Sequence, residues 1–243
     1  MTTSGFTVAL IGPDGAGKTT VARRLQRELA LPVEYVYMGV NPDSSNYLLP
    51  TTRAVHAFRR RRGHKPDTAG PRDSRHVDRA RPRGFLRRGL RSVRSFARLG
   101  NRLAEEWHRA LVASVYRRRG SIVVFDRYFF ADYYAYDVVR SRRRSASRRL
   151  HGFILSRLYP RPDLVIYLDA PAEVLLERKG EGTLESLARR RREYLALGRV
   201  LRGFAVIDAS QALDQVTREV IELIHAFADG RPVGPHPPEY NSP

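Results

Sequence analysis

The chain has no cysteine and no long apolar run, and each absence excludes a class of protein or site. Without cysteine it can form neither a disulfide nor a thiolate zinc site, and a cysteine nucleophile is excluded. A transmembrane helix needs about 18 consecutive apolar residues, and a signal peptide needs a basic start followed by an apolar region. The sequence matches neither pattern, so we expect a cytoplasmic protein.

The positive charge of the chain is large and unevenly distributed. Its 44 basic residues outnumber its 25 acidic residues, which gives a formal net charge of +19, and only three of the basic residues are lysine. Residues 51–100 alone hold 15 arginines, one lysine and three aspartates. Such a surface attracts phosphates, nucleic acid or anionic lipid. We predict a solvated basic insertion at about 53–84 and a second basic run at 140–149, and the role of both is left open.

Short apolar runs alternate with amphipathic stretches along most of the chain. Strands are predicted at 6–11, 121–125, 164–168 and 205–207, with a strand or an apolar loop at 33–40. Helices are predicted at 19–30, 128–139, 153–158, 172–178, 184–197 and 213–228, and from residue 85 to Gly120, where Gly100 is a point at which the helix can break. This alternation predicts an α/β fold with a parallel sheet of about five strands and helices on both faces. We expect one domain over residues 1–229, followed by a disordered proline-rich tail at 230–243.

One motif identifies the chemistry. Residues 12–19, Gly-Pro-Asp-Gly-Ala-Gly-Lys-Thr, match the phosphate-loop pattern G-x-x-x-x-G-K-[ST], between a predicted strand and a predicted helix. The glycines let backbone N–H groups point at phosphates, Lys18 reaches the β- and γ-phosphates, and Thr19 offers a hydroxyl to Mg²⁺. The motif therefore predicts a P-loop kinase fold that binds MgATP. The predicted ATP-binding residues in the loop are Gly12, Asp14, Gly15, Ala16, Gly17, Lys18, Thr19 and Thr20.

Acidic residues follow two of the predicted strands. Asp126 comes directly after the strand at 121–125, at the sheet edge where ligands bind in this fold class, and can hold Mg²⁺ with Thr19 or act as a base. Arg127, the next residue, is suited to bind a phosphate through two hydrogen bonds. Asp169 follows the strand at 164–168, and we expect it to cap a helix.

Basic residues next to glycines predict a mobile lid at about 178–188. Arg178 and Lys179 precede Gly180 and Gly182, and such cations can close on a transferring phosphoryl group. We predict catalytic roles for Lys18, Asp126, Arg127 and Arg178, and place Lys179 with the ATP-binding residues. The arginines at 189–192 are expected to form a solvated face of the next helix.

Several segments together resemble the thymidylate kinases, a family of nucleoside-monophosphate kinases. The similar segments are residues 14–20, Asp126-Arg127-Tyr128, and residues 164–177, 189–195 and 206–210. The resemblance implies transfer of the γ-phosphoryl group of MgATP to a nucleoside monophosphate, with dTMP the leading acceptor, and a homodimer. It also implies acceptor-binding roles for Asp14, Arg127 and Tyr128, and for an arginine on the helix before Gly120, with Arg102 the first choice and Arg109 the alternative. Tyr133 can stack on the acceptor or pack in the core.

Two segments depart from the family pattern and leave the acceptor open. Residues 37–42 replace the Arg-Glu-Pro-Gly segment of the family, and residues 129–136 are rich in aromatic side chains. The alternatives are a kinase of the same fold acting on a nucleoside, a sugar or a polynucleotide 5′ end, and a nucleotide-binding protein that docks on anionic membrane or nucleic acid through residues 85–99. A hydroxyl acceptor would require a base, either Asp126 or Asp14.

Overall fold

The computed structural model describes residues 5–39, 45–61, 85–139, 146–180 and 182–231. The chain divides into two compact units, the first made of residues 1–38, 112–131 and 161–243 and the second of residues 39–111 and 132–160. Within the described ranges, no helix is long and apolar enough to cross a membrane. The prediction of one domain over 1–229 stays a prediction, and most of the predicted tail lies outside the described residues.

Five strands and eight α-helices follow one another along the described part of the chain. The strands are β1 (Thr7–Ile11), β2 (Val33–Tyr37), β3 (Ile122–Asp126), β4 (Leu164–Asp169) and β5 (Phe204–Asp208). The helices are α1 (Lys18–Glu28), α2 (Pro50–Arg61), α3 (Phe85–Arg118), α4 (Phe129–Tyr133), α5 (Ala146–Arg157), α6 (Ala172–Lys179), α7 (Leu184–Leu195) and α8 (Leu213–Ala228). A π-helical turn, Tyr134–Val139, continues α4, and a 3₁₀ turn, Ala196–Arg199, continues α7.

The first unit contains a five-stranded parallel sheet in the order β2-β3-β1-β4-β5. The central strand β1 pairs with β3 and β4, so that Leu10 stands beside both Asp126 and Ile166. The strands are apolar because both faces of a parallel sheet are covered by helices. All carboxyl ends meet at one edge, which is where ligands bind in open α/β sheets. The predicted fold class and the number of strands are confirmed.

Helices cover both faces of the sheet. Alternate strand residues such as Val8, Leu10 and Ile166 belong to a buried apolar cluster that includes residues of α1 and α8. On the opposite face the ring of Tyr167 stacks on Tyr194 of α7, with ring centroids 5.6 Å apart. This alternation follows from the period of two in a β-strand.

The structure differs from the predicted helices in three details. Helix α3 runs unbroken through Gly100, where an added Cβ would meet no atom within 4 Å, so no close contact requires a glycine there. The predicted helix at 128–139 consists of α4 and a π-helical turn. Helix α5 begins at Ala146, seven residues before the predicted start, so the last part of the basic run at 140–149 is helical. The first part of that run, 140–145, lies outside the described residues.

The predicted basic insertion is described only in part. Its first residues belong to α2, which ends at Arg61, and residues 62–84 lie outside the described ranges.

The second unit has polar groups in its interior. His151 of α5 and Glu106 of α3 are both fully buried, and the His151 Nε2 atom lies 3.1 and 3.2 Å from the two carboxylate oxygens. Tyr159 donates its hydroxyl hydrogen to the Glu106 carbonyl oxygen at 3.2 Å. These contacts fasten α5 to α3, because buried polar groups are stabilising only when they find partners.

Candidate active site

The phosphate loop connects β1 to α1 and depends on its glycines. Gly12, Gly15 and Gly17 have φ angles of 150°, 93° and 83°, which side chains disfavour. An added Cβ on Gly12 would stand 2.7 Å from the Leu168 carbonyl oxygen of β4, so this position also lacks space. The loop thus passes close to the neighbouring strand β4.

Lys18 opens helix α1 and lies inside the loop. Its side chain is buried, and its Nζ atom donates to the carbonyl oxygens of Gly12 at 2.8 Å and Pro13 at 2.6 Å. The loop carbonyls thus hold the Lys18 ammonium group, and the backbone N–H groups of the first turn of α1 follow directly after the loop. Both are suited to bind phosphate oxygens. Thr20 is exposed in the first turn of α1.

Asp126 ends β3 beside the phosphate loop and is fully buried. Its Oδ2 atom accepts hydrogen bonds from Thr19 Oγ1 at 2.6 Å and from Tyr35 Oη at 2.8 Å. Its Oδ1 atom is buried without a hydrogen-bond partner among the described residues. The structure thus brings together Thr19 and Asp126, which were predicted as a pair, and adds Tyr35 of β2.

Tyr35 is held as a hydrogen-bond donor to this carboxylate. Burial raises the pKa of its hydroxyl above the usual range, and the negative charge of Asp126 and the hydrogen bond to it raise the pKa further. The hydroxyl therefore stays protonated at physiological pH and orients Asp126.

The residues at the end of β3 fit Mg²⁺ in the way expected of a phosphate loop. Within the described ranges there is no group of three or more His, Cys, Asp or Glu side chains that could hold a metal ion. Mg²⁺ in nucleotide sites is usually held by only one or two protein groups, together with water and substrate phosphates. A threonine hydroxyl next to a buried carboxylate with an unpartnered oxygen matches that requirement.

Asp14 of the loop is surrounded by positive charges. Its Oδ1 atom accepts a hydrogen bond from Arg127 Nη2 at 2.5 Å, and its Oδ2 atom lies 3.8 Å from Arg190 Nη1 of α7. Burial alone would raise the pKa of Asp14, but the charges of Arg127, Lys18 and Lys179 hold the pKa well below its usual range. The acid therefore stays ionised and ties these basic side chains to the loop.

Arg127 adopts an uncommon backbone conformation. Its φ angle is 73°, the only positive φ of a residue other than glycine among those described. Its N–H donates to the Leu10 carbonyl oxygen at 3.1 Å, which fixes the turn after β3 to the neighbouring strand. Strained residues of this kind occur often at functional sites. The strain here accompanies a guanidinium directed at the phosphate loop.

The predicted lid is framed by two helix ends. Helix α6 ends at Lys179, with Gly180 in the left-handed conformation, and α7 begins after Thr183, whose side chain caps the helix together with Ser186. Arg178 donates to the carbonyl oxygens of Ala209 at 2.7 Å and Ser210 at 3.2 Å, in the loop after β5. The Arg178 guanidinium thus contacts that loop, while the positive charge of Lys179 helps to lower the pKa of Asp14.

Asp169 does not cap a helix, and that expectation is wrong. The helix after it, α6, has Pro171 at its N-cap and no side-chain cap. Instead, the buried Asp169 carboxylate accepts two hydrogen bonds from Arg191 of α7, at 2.8 and 2.7 Å, and one from Tyr167 Oη at 2.9 Å. With Arg190 near Asp14, two of the four arginines at 189–192 contact carboxylates, so they do not form a merely solvated face.

The predicted acceptor residues lie in both units. In the first unit, Tyr128 is buried and stacks on Phe125 with centroids 6.4 Å apart, and burial raises the pKa of its hydroxyl. In the second unit, the Tyr133 ring is buried with its edge on His151, and the Arg102 guanidinium carbon lies 4.8 Å from the Tyr133 ring centroid.

The alternative arginine, Arg109, also lies in the second unit and is buried. It donates to the Gly39 carbonyl oxygen at 2.8 Å and lies 3.5 Å from Glu105. Arg109 is thus committed to backbone and carboxylate partners within its own unit.

Sequence reasoning missed two residues that contact the predicted site and one that contacts the carboxylate beside it. Tyr35, Arg190 and Arg191 reach Asp126, Asp14 and Asp169, respectively. The sequence did contain a signal for the arginines. Four consecutive arginines on an amphipathic helix cannot all face water, so at least one of them must lie near the interior. No pattern distinguished Tyr35 from the other aromatic residues.

Comparison with known proteins gives consistent matches. The family model "Thymidylate kinase" matches residues 100–220. The chain is 30% identical over 243 residues to the thymidylate kinase of Xanthomonas campestris pv. campestris (strain B100), an alignment that covers 96% of this chain and 89% of that protein. It is 24% identical over 128 residues to the thymidylate kinase of Fervidobacterium nodosum, where the match covers 48% of this chain and 64% of the relative, less than two thirds of its length.

A solved structure is also similar. The thymidylate kinase of Candida albicans matches with a TM-score of 0.59 and 18% sequence identity, over 92% of each chain. At this level of identity the likeness concerns the fold.

Proposed function

Because the chain belongs to the thymidylate kinase family, we propose that it is an ATP-dependent kinase that transfers the γ-phosphoryl group to a nucleoside monophosphate, with dTMP the leading acceptor. The observation that carries this proposal is the grouping of three elements at the sheet edge. The phosphate loop, the buried Asp126 against Thr19, and the Arg127 guanidinium on the loop acid all lie in the first unit.

The donor would be bound by the loop. Lys18 would exchange the carbonyl oxygens of Gly12 and Pro13, now 2.8 and 2.6 Å away, for oxygens of the β- and γ-phosphates. Thr19 and Asp126 would hold Mg²⁺, which supplies neutralisation of phosphate charge when bound. The positive end of helix α1 adds to the attraction for the phosphates.

The acceptor would bring its own nucleophile. An oxygen of its phosphate group would form a bond to the γ-phosphorus while the bond from that phosphorus to the β-phosphate oxygen breaks. The acceptor phosphate is ionised at neutral pH, so no strong base is needed. Arg127 has five N–H donors in a planar fork, so it can hold this phosphate and remain paired with Asp14. Rate enhancement would come from positioning and charge neutralisation.

The test is ADP release from MgATP with a panel of acceptors. We expect dTMP-dependent release above that with dUMP, thymidine, sugars or DNA 5′ ends. Lys18→Ala should reduce turnover by about a hundredfold or more, as expected for losing one preorganised charge. The matched control Arg27→Ala removes an exposed charge from the same helix and should leave turnover unchanged. Full turnover in Lys18→Ala would contradict the site assignment.

The outcome also separates the alternatives. Turnover with thymidine, a sugar or a DNA end in preference to dTMP would indicate a kinase of the same fold with another acceptor. ADP release with none of them would favour a nucleotide-binding protein that docks on anionic membrane or nucleic acid. Such docking should weaken steeply with salt.

The protein's assembly and location belong to the same proposal. Trp107 and Leu111, one turn apart on α3, are 43% and 63% exposed, which is a large exposure for adjacent apolar side chains. We propose that a second copy of the chain covers them, in a cytoplasmic homodimer. Sedimentation should give a dimer mass for the wild type and a monomer mass for Leu111→Arg, and a monomeric wild type would contradict the proposal.

A further inference from the structure

One buried carboxylate beside the site has no part in the proposed transfer. Asp169 is the last residue of β4 and is almost inaccessible to solvent. Arg191 Nε and Nη2 donate to its two oxygens at 2.8 and 2.7 Å, and Tyr167 Oη donates at 2.9 Å. Fork-shaped pairs of this kind fix geometry as well as charge. A rigid strand end therefore holds one side chain of α7 in a defined position.

A second contact on α7 fixes its rotation about its own axis. Tyr194 stands one turn after Arg191, on the same side of the helix, and its ring stacks on Tyr167 with centroids 5.6 Å apart and planes 19° from parallel. Both anchors, Asp169 and Tyr167, belong to β4. A helix held at two points on one face cannot roll without breaking one of the contacts.

The fixed rotation determines where the preceding side chain points. Successive residues of an α-helix are turned by about 100°. With Arg191 directed at Asp169, the neighbouring Arg190 is directed at the phosphate loop, where its Nη1 atom lies 3.8 Å from Asp14 Oδ2.

We propose that the Asp169–Arg191 pair is a positioning pair that holds Arg190 over the phosphate loop, where Arg190 adds to the binding of the nucleotide's terminal phosphates. This inference rests on the proposed function, because it concerns the same nucleotide site. Arg191 acts through Arg190 and touches no phosphate itself. Loss of either arginine should thus have the same effect on nucleotide affinity.

A double-mutant cycle on nucleotide binding tests this dependence. The probe is a non-hydrolysable ATP analogue with Mg²⁺, titrated into the full chain. Arg190→Gln and Arg191→Gln should each weaken binding by about tenfold, the scale of one charge-assisted hydrogen bond. The double variant should be within about twofold of Arg190→Gln alone. Arg192→Gln, which removes an exposed charge from the same helix, is the matched control and should bind like wild type.

The results that would overturn the proposal are distinct. Unchanged affinity in Arg191→Gln, or effects that multiply in the double variant, would mean that Arg191 does not act through Arg190. Loss of thermal stability without loss of affinity would indicate a purely structural tether. Failure of the wild type to bind the analogue would instead contradict the proposed function, so the two failures can be told apart.

Breaking a buried ion pair can also unfold the protein. If Arg191→Gln does not fold, the cycle is repeated with Arg191→Lys, which keeps the charge and removes the fork. This variant should show a smaller loss of affinity that again vanishes in the Arg190→Gln background. Full additivity would overturn the proposal here too.

Discussion

Replacing Asp126 by asparagine removes one buried charge from the site while leaving its shape almost unchanged. The Oδ2 atom accepts from Thr19 at 2.6 Å and from Tyr35 at 2.8 Å, whereas Oδ1 has no hydrogen-bond partner among the described residues. The asparagine carbonyl oxygen can take the Oδ2 position and keep both hydrogen bonds. Its NH₂ group then occupies the Oδ1 position, so a donor replaces the acceptor that would face Mg²⁺ or its water ligands.

The substitution should change the free energy of unfolding little and lower turnover strongly. Both hydrogen bonds persist and a fully buried charge disappears, so the free energy of unfolding should change by no more than about 1 kcal/mol. Turnover should fall by about a hundredfold to a thousandfold, corresponding to roughly 2.7–4 kcal/mol of lost transition-state stabilisation.

The assay is kcat at saturating MgATP and acceptor, together with thermal unfolding of the same samples. Asp163→Asn is the matched control, because the Asp163 carboxylate also accepts two hydrogen bonds, both at 2.8 Å, from the backbone and side chain of Thr7. That carboxylate stands just before β4 begins, at the sheet edge away from the phosphate loop, so its loss should leave kcat unchanged. If Asp126→Asn kept turnover within about fivefold of wild type, the role given to the buried carboxylate would be refuted.

Three further predictions concern the same unit. Gly12→Ala should weaken nucleotide binding by more than about tenfold, measured by titration, because its Cβ would lie 2.7 Å from a β4 carbonyl oxygen. Because the pKa of Asp14 is depressed in the folded protein, its pair with Arg127 stabilises the fold above the unfolded-state pKa of about 4. This stabilisation is lost as the pH falls through the lower folded pKa, so the free energies of urea unfolding of wild type and Asp14→Asn should converge at acid pH. Tyr35→Phe should lower kcat by about tenfold through disorder of Asp126, and an unchanged kcat would show that Thr19 alone orients the carboxylate.

The parts of the site that follow from local sequence could be predicted. The phosphate loop is a pattern of about eight consecutive residues that follows a strand and leads into a helix. Asp126 and Arg127 follow a β-branched run, and the end of a parallel strand is where a binding residue is expected. The sheet and its number of strands follow from the alternation of apolar runs with amphipathic helices.

The missed contacts depend on tertiary packing. Tyr35 reaches Asp126 because β2 pairs with β3, an adjacency that the two short segments do not encode separately. Asp169 was expected to cap the next helix, since an acid before a helix often does so, but its partner Arg191 lies 22 residues later. Which of the four consecutive arginines contact carboxylates depends on the rotation of α7 about its own axis, and the stacking of Tyr194 on Tyr167 fixes that rotation.

The contrast between donor and acceptor predictions has a physical origin. Phosphates are recognised largely by backbone N–H groups and a helix end, so the motif is short and hardly depends on the rest of the fold. An acceptor base or sugar must be recognised by side chains from distant segments. In the second unit, Arg102 stands over Tyr133, which is 31 residues further along the chain, and Arg109 is held by the Gly39 carbonyl, 70 residues away. If the acceptor is bound by residues such as these, as the proposed function requires, no short local pattern reveals them, whereas the phosphate loop is contained in eight consecutive residues.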